Sequence, residues 1–352
     1  MTQTLEAPRT DVSPEPLYRL ALGFACTKTL LAANRLGIFP QLALGPQTGA
    51  EVARALGLEA GNTEMLLDAC VSLGLCAKEG GRFTNTAVSN TYLIPDRRGY
   101  LGRFLDHFND HMYPVWFHLE EAVRTGKAQV GRVVGQESDH FFEAIRRQPR
   151  DLETFMLTME EHSLLEGAAL ASAYDFSPHQ QLLDVGGGTG AMSTAILERY
   201  PNLQSTVFDQ PAVRPIAERC IAQHGLGDRI RVIGGSFFDD ALPGPVDIVL
   251  LSGILHNWSP ENARRILRRC AQALIPGGTL LISEQVLTDD RTGPLPGILC
   301  SLNMMIMMQD AREYSRGEFE AMLADTGFYL LEVRPTGGAR QLLVARSRPT
   351  SQ

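Results

Sequence analysis

The sequence predicts a doubly wound α/β fold: a seven-stranded sheet with an antiparallel C-terminal hairpin, preceded by a mainly helical, winged-helix-like N-terminal domain. Three observations carry this prediction. From Gln180 onward, short runs rich in β-branched residues alternate with helical stretches. A glycine-dense turn, Gly186-Gly187-Gly188-Thr189-Gly190, joins the first run to a helix. Only Thr336-Gly337-Gly338-Ala339 separates the last two runs. Strand–helix alternation implies right-handed crossovers and a parallel sheet with helices on both faces, whereas so short a connection joins antiparallel neighbours.

Taken in order, residues 1–13 are Pro-rich and polar and predict a disordered tail. Apolar residues recur at helical spacing over 17–36 and stop at Gly37. Thr48 followed by Glu51 is a capping-box pattern opening a second helical unit that ends at Gly57. A third starts near Asn62 or Thr63 and stops at Gly74, and residues 75–84 read as a hairpin turning on Gly80-Gly81. Three helices and a two-stranded wing give residues 14–99 a winged-helix outline. Residues 100–178 read as a helical linker and pocket layer, rich in aromatic and histidine residues such as Phe104, His111, Trp116 and His162; such a layer suits a flat apolar ligand. The α/β domain then spans 179–348, with strands predicted at 181–185, 205–209, 230–234, 247–255, 279–287, 329–335 and 341–346.

Composition excludes several function classes. The 352 residues suffice for about two domains, and 44% apolar with 20% charged residues is a globular composition. Lys and Arg number 32 against 40 acids, a net charge of −8, which argues against nucleic acid or anionic lipid as partner. The recognition-helix position of the winged helix carries Glu64 and Asp68 and no basic residue. The longest apolar stretches, 248–255 and 298–308, fall short of the ~20 residues of a membrane span, and residues 1–16 have no signal-peptide core. Six scattered cysteines without a C-x-x-C pair point to reduced thiols in a cytoplasmic protein, with no metal site.

The glycine turn alone is ambiguous. Gly186-x-Gly188-x-x-Ala191 fits a relaxed dinucleotide fingerprint, with Asp209 about 20 residues on where a ribose-binding acid belongs. Asp184, at the end of the strand before the turn, discriminates: it would repel a pyrophosphate but suits an ammonium group. An adenosine-linked cofactor with an α-amino acid and a cationic centre, S-adenosylmethionine, fits both acids. His256 lies just beyond the predicted strand 247–255, and Glu284 lies near the end of 279–287. Asp184, Asp209, His256 and Glu284 thus all fall at strand carboxyl ends, the ligand-binding edge of such sheets.

These segments resemble the class I methyltransferases with a Rossmann-like sheet, and among them the small-molecule O-methyltransferases of the caffeate, hydroxyindole and bacterial polyketide-tailoring type. The resemblance spans roughly 17–347. It rests on Leu183-Asp184-Val185-Gly186-Gly187-Gly188, Phe208-Asp209-Gln210-Pro211, Ile254-Leu255-His256-Asn257-Trp258-Ser259, Pro276-Gly277-Gly278 before Ser283-Glu284, and Arg312-Glu313-Tyr314-Ser315. It implies that the N-terminal domain serves dimerisation, giving a homodimer. It further implies metal-free methylation of a hydroxyl on a small aromatic or polyketide-like acceptor, leaving S-adenosylhomocysteine. Carried over by position, His256 is the base, flanked by Glu284 and Glu313. Asp184, Gly186, Gly188, Asp209, Gln210, Ser236, Phe237 and Ser252 hold the cofactor, and Met159, His162, Asn257, Asn303 and Met307 line the acceptor pocket. Three positions depart from the family pattern: Asn257 replaces an Asp, Ser236 an acid that contacts adenine, and Ser252 a residue that is basic in many members. Intact His256 and glutamates favour O-methylation. Asn257 leaves C-methylation, or a pericyclic or decarboxylating reaction on the same scaffold, as the alternative. A ligand-sensing regulator would need the basic recognition helix that is missing.

Overall fold

A computed structural model describes residues 12–135, 141–147 and 149–348. Most of the predicted tail, residues 1–11, lies outside them. The chain divides into two compact units, one reaching Asn109 and one starting at Asp110.

The first unit carries helices Glu15–Arg35, Ile38–Leu42, Gly49–Leu56 and Ala60–Ser72, then strands β1 (Cys76–Glu79) and β2 (Arg82–Asn85). The Thr48 capping box forms as its spacing predicts: the Thr48 amide donates to Glu51 and the Glu51 amide to the Thr48 hydroxyl. Helix Ala60–Ser72 begins earlier than the pattern suggests, because the Glu59 carboxylate caps it by accepting from the Gly61 and Asn62 amides. β1 and β2 pair antiparallel, turning on Gly80 and Gly81, both at positive φ. Phe39, Val52, Leu67 and Phe83 fill the core beneath. The two acids of the recognition-helix position, Glu64 and Asp68, both pair with Lys78 of the wing.

The second unit is built on seven strands: β3 (Gln181–Val185), β4 (Gln204–Asp209), β5 (Ile230–Gly234), β6 (Val246–Ser252), β7 (Leu274–Glu284), and, after the short β8 (Val286–Leu287) and β9 (Tyr314–Ser315), the closing β10 (Phe328–Pro335) and β11 (Gln341–Ser347). Their order is β10-β11-β7-β6-β3-β4-β5. β3 to β7 pair parallel, and β11 lies antiparallel between β7 and β10, as the short connection demands. The central strands are apolar on both faces because helices cover both. Ile248 and Leu250 face one layer with Leu170 and Ile196, while Val249 and Leu251 face another with Ile266 and Phe319.

Two predicted strands end differently. The run 247–255 stops at Ser252, because Gly253 takes φ +65° and the chain winds into a 3₁₀ turn, Leu255–Asn257. The run 279–287 divides at Gln285, and β8 leaves the main sheet to pair with β9. No helix among the described residues is long and apolar enough to cross a membrane.

Candidate active site

The site is assembled at the carboxyl edge of β3–β7. After β3 the backbone turns with Gly186, Gly188 and Gly190 at positive φ, where side chains are strained. Close approach adds a second constraint: a Cβ at Gly186 would sit 2.4 Å from Ile254 Cδ1, and one at Gly187 would sit 2.6 Å from the Asp184 carboxyl carbon. Asp209 at the end of β4 holds this loop, accepting from the Gly188 amide (2.8 Å) and the Gln210 amide (2.6 Å).

Asp184 lies beneath the loop, 1% exposed, with its carboxylate accepting from the Ser193 hydroxyl at 2.8 Å. Burial pushes its pKa up to about 6; the Ser193 hydrogen bond opposes the rise and the Asp209 charge adds to it. Burial also raises Asp209, against the Gln210 and Gly188 amides. Asp184 therefore shapes the loop from behind, and Ser193 is a partner that the sequence reading missed. Beyond β5, the Ser236 hydroxyl donates to Asp239 (2.9 Å) and its amide to Asp240 (2.9 Å). Phe237 stands edge-to-face against Phe238 and Trp258.

His256 sits in the 3₁₀ turn with its side chain 14% exposed. Its Nδ1 is 2.7 Å from Glu313 Oε1 and 3.7 Å from Glu284 Oε2. Glu284, the last residue of β7, fixes the turn by accepting the Ile254 and Leu255 amides on Oε1, both at 2.9 Å. Glu313, at the entry to β9, is fully buried, and the neighbouring Arg312 amide donates to the His256 carbonyl. Burial disfavours a charged imidazole here. The Glu284 and Glu313 charges, with hydrogen bonding to Cys300 and Glu313, outweigh it and hold His256 well above its ordinary range. Glu284 is raised by burial and by the Glu313 charge, against the pull of His256. The outer Oε2 atoms of both glutamates have no hydrogen-bond partner among the described residues.

Cys300 completes this cluster. Its thiol, the histidine and Glu313 present donor atoms within 4.8 Å of one another, a juxtaposition that no motif announced. Asn257 is directed locally, its Nδ2 donating to the Gly253 carbonyl at 2.9 Å. Asn303 Oδ1 accepts from the Trp116 indole at 3.0 Å. Met307 is buried with Met112, Met156 and Ile306 in a methionine-rich layer. Helix Pro149–Ala173 crosses the glycine loop, with the Met156 sulfur 3.8 Å from where a Gly188 Cβ would be. Met159 follows, partly buried, and then His162, whose ring is 3.8 Å from Glu166. Burial, and next the Arg340 charge, lower the His162 pKa to about 4, so its imidazole is neutral. Ser252 accepts a hydrogen bond from Arg340, a residue that sequence reasoning did not single out.

A doubly wound sheet closed by an antiparallel hairpin, with a carboxylate-backed histidine one loop away from a glycine cradle, has the layout of an α/β enzyme of the methyltransferase class. Comparison with known proteins makes this specific. The O-methyltransferase domain family matches residues 116–329, and the O-methyltransferase dimerisation domain matches 18–95. The chain is 36% identical over 336 residues to the acetylserotonin O-methyltransferase of Bos taurus, covering 94% of this chain and 96% of that one. It is 38% identical over 320 residues to the 3-hydroxy-5-methyl-1-naphthoate 3-O-methyltransferase of Streptomyces sahachiroi, covering 91% of each. The crystal structure of human N-acetylserotonin methyltransferase in complex with S-adenosylmethionine superposes with a TM-score of 0.88 at 31% identity, over 98% of this chain and 100% of that one. The chain belongs to the O-methyltransferase family.

Proposed function

We propose that this protein transfers the methyl group of S-adenosylmethionine to a hydroxyl of a small aromatic metabolite of the hydroxyindole or hydroxynaphthoate kind, with His256 as general base. The residues present fit the cofactor. Gly186 and Gly188 offer a backbone cradle that side chains would fill, Asp209 stands at the neighbouring strand end where a ribose belongs, and Phe237 adds an aromatic wall beyond β5. When bound, S-adenosylmethionine supplies a methyl group on a cationic sulfur that needs no further activation.

The protein's own work is to hold the acceptor and take its proton. The observation that carries the reading is the 2.7 Å contact of His256 Nδ1 with the buried Glu313. That contact keeps a proton on Nδ1 and leaves Nε2 as the basic nitrogen, while Glu284 clamps the turn carrying the ring. A phenol with a pKa of about 10 is a matched acid for so strengthened an imidazole. Because the two glutamates hold the His256 pKa above its ordinary range, the basic imidazole forms as pH rises, and the rate rises with it. Asn303, Met307, Met159, the neutral His162 and Asn257 are read as the acceptor-side contacts. Homodimer formation through residues 14–99 is supported by the match to the dimerisation domain and by helix Glu15–Arg35, whose Leu17, Leu20, Leu22 and Phe24 are exposed.

The test is incubation with methyl-labelled S-adenosylmethionine and a panel of hydroxyindoles, hydroxynaphthoates and simple phenols, with products identified by mass and NMR. Label on oxygen of one acceptor class supports the proposal. Label on carbon, or conversion of the acceptor without label, refutes it.

A further inference from the structure

The closing hairpin delivers a cation to the cofactor edge. Arg340 follows the β10–β11 turn, which Thr336 pins by donating its hydroxyl to the Arg340 carbonyl (2.9 Å). At the turn, a Cβ on Gly338 would lie 3.3 Å from Glu166 Oε1, which seats the hairpin tip on helix Pro149–Ala173. From there the guanidinium reaches the end of β6, where Nη1 donates to Ser252 Oγ at 2.8 Å. It lies over Gly253, where a Cβ would come within 2.9 Å of Nη2. Among the described residues its other donors have no hydrogen-bond partner. A half-buried fork with spare donors is built for an anion.

The order of the sheet indicates which anion. Across the carboxyl edge run β5 with Ser236 and Phe237, β4 with Asp209, β3 with the glycine loop, and β6 with Ser252. Gly186 and the turn after β6 are in contact, since a Cβ on Gly186 would strike Ile254. A cofactor with adenine at β5 and ribose at Asp209 therefore has its amino-acid end directed toward β6. Asp184, Asp209, Glu284 and Glu313 are all acids; of the permanent cations near them, Arg146 acts on Asp209 and Arg312 pairs with Glu318, whereas Arg340 stands at the end of β6. Its field already acts on Glu284 and His162. We propose that Arg340 anchors the carboxylate of the S-adenosylmethionine amino-acid end, with Ser252 orienting the guanidinium. This rests on the cofactor reading above, and extends it to a residue from the opposite end of the domain.

The experiment is calorimetry on the full chain with two ligands, S-adenosylhomocysteine and its analogue lacking the carboxylate. The wild type should bind the acid-bearing ligand roughly 10- to 100-fold more tightly than the analogue, the range for hydrogen bonds to charged groups. In Arg340→Gln the acid-bearing ligand should lose that factor and the analogue should not, so the two affinities converge. Arg340→Lys, which keeps the charge without the fork, should fall between, and it serves if the Gln variant does not fold. Equal losses for both ligands, or no loss for either, would overturn the assignment. A wild type that binds neither ligand would instead sink the cofactor reading itself.

Discussion

Glu313→Gln removes the charge that strengthens His256 while keeping an oxygen at the same place. The ceiling of its effect follows from the geometry. Unit charges at the 2.7 Å separation of Nδ1 and Oε1 interact by about 6 kcal/mol at an effective dielectric of ~20. Solvent relaxation and the retained neutral hydrogen bond cut this to roughly 1.5–3 kcal/mol, the usual worth of a hydrogen bond to a charged group. At 1.36 kcal/mol per unit, the His256 pKa should drop by about one to two units. The sign is fixed by the direction of the wild-type shift. A raised histidine becomes a base only as pH rises through its folded pKa, so the wild-type kcat/KM should climb with pH. In Glu313→Gln that limb should move to lower pH by one to two units, and the plateau should fall by about 10- to 100-fold because the base is weaker. The assay is kcat/KM from pH 5.5 to 10 at saturating cofactor. A limb that stays in place, or moves upward, would refute the pairing of Glu313 with the catalytic proton.

Further outcomes follow from the same geometry. Asp184→Asn should raise the melting temperature of the ligand-free protein at pH 7.5. A buried carboxyl raised to about 6 contributes stability only below its unfolded pKa of ~3.9 and loses it as pH rises through 6, a cost of about 2–3 kcal/mol. The gap between variant and wild type should close near pH 4. Gly187→Ala forces a Cβ to within 2.6 Å of the Asp184 carboxyl carbon; overpacking of about 1–3 kcal/mol should appear as a 5- to 100-fold weaker cofactor affinity by calorimetry. Asn303→Ala strands the Trp116 indole N–H and should raise the acceptor KM while leaving cofactor affinity within about twofold, since the hydrogen bond it removes is to Trp116 and not to the glycine loop.

What the sequence made legible was local. The capping box at Thr48 and Glu51, the glycine turn after β3 and the hairpin at the C-terminus are each dictated by neighbours a few residues apart, and all three form as read. Strand ends were less legible. Nothing in the apolar run 247–255 signals that Gly253 adopts a positive φ and starts a turn, and Glu59 caps its helix without belonging to the preferred capping residues. His256, Glu284 and Glu313 could be selected by motif, and the structure brings them together from three separate segments. Arg340, Ser193 and Cys300 could not be selected. Their importance comes from side chains that reach across 88, 9 and 44 positions respectively to Ser252, Asp184 and His256, and no periodicity encodes such reach. Asn257, a motif position beside the histidine, donates its Nδ2 to the Gly253 carbonyl, a contact the motif does not announce.

The central claim is that His256 removes the acceptor proton during methyl transfer to oxygen, and single-turnover methyl transfer by His256→Ala tests it most directly. With cofactor affinity checked by calorimetry and found equal to wild type, the rate of labelled methyl ether formation should fall at least about a hundredfold, with part of the loss recovered by added imidazole. Transfer at the wild-type rate in that variant would contradict the account.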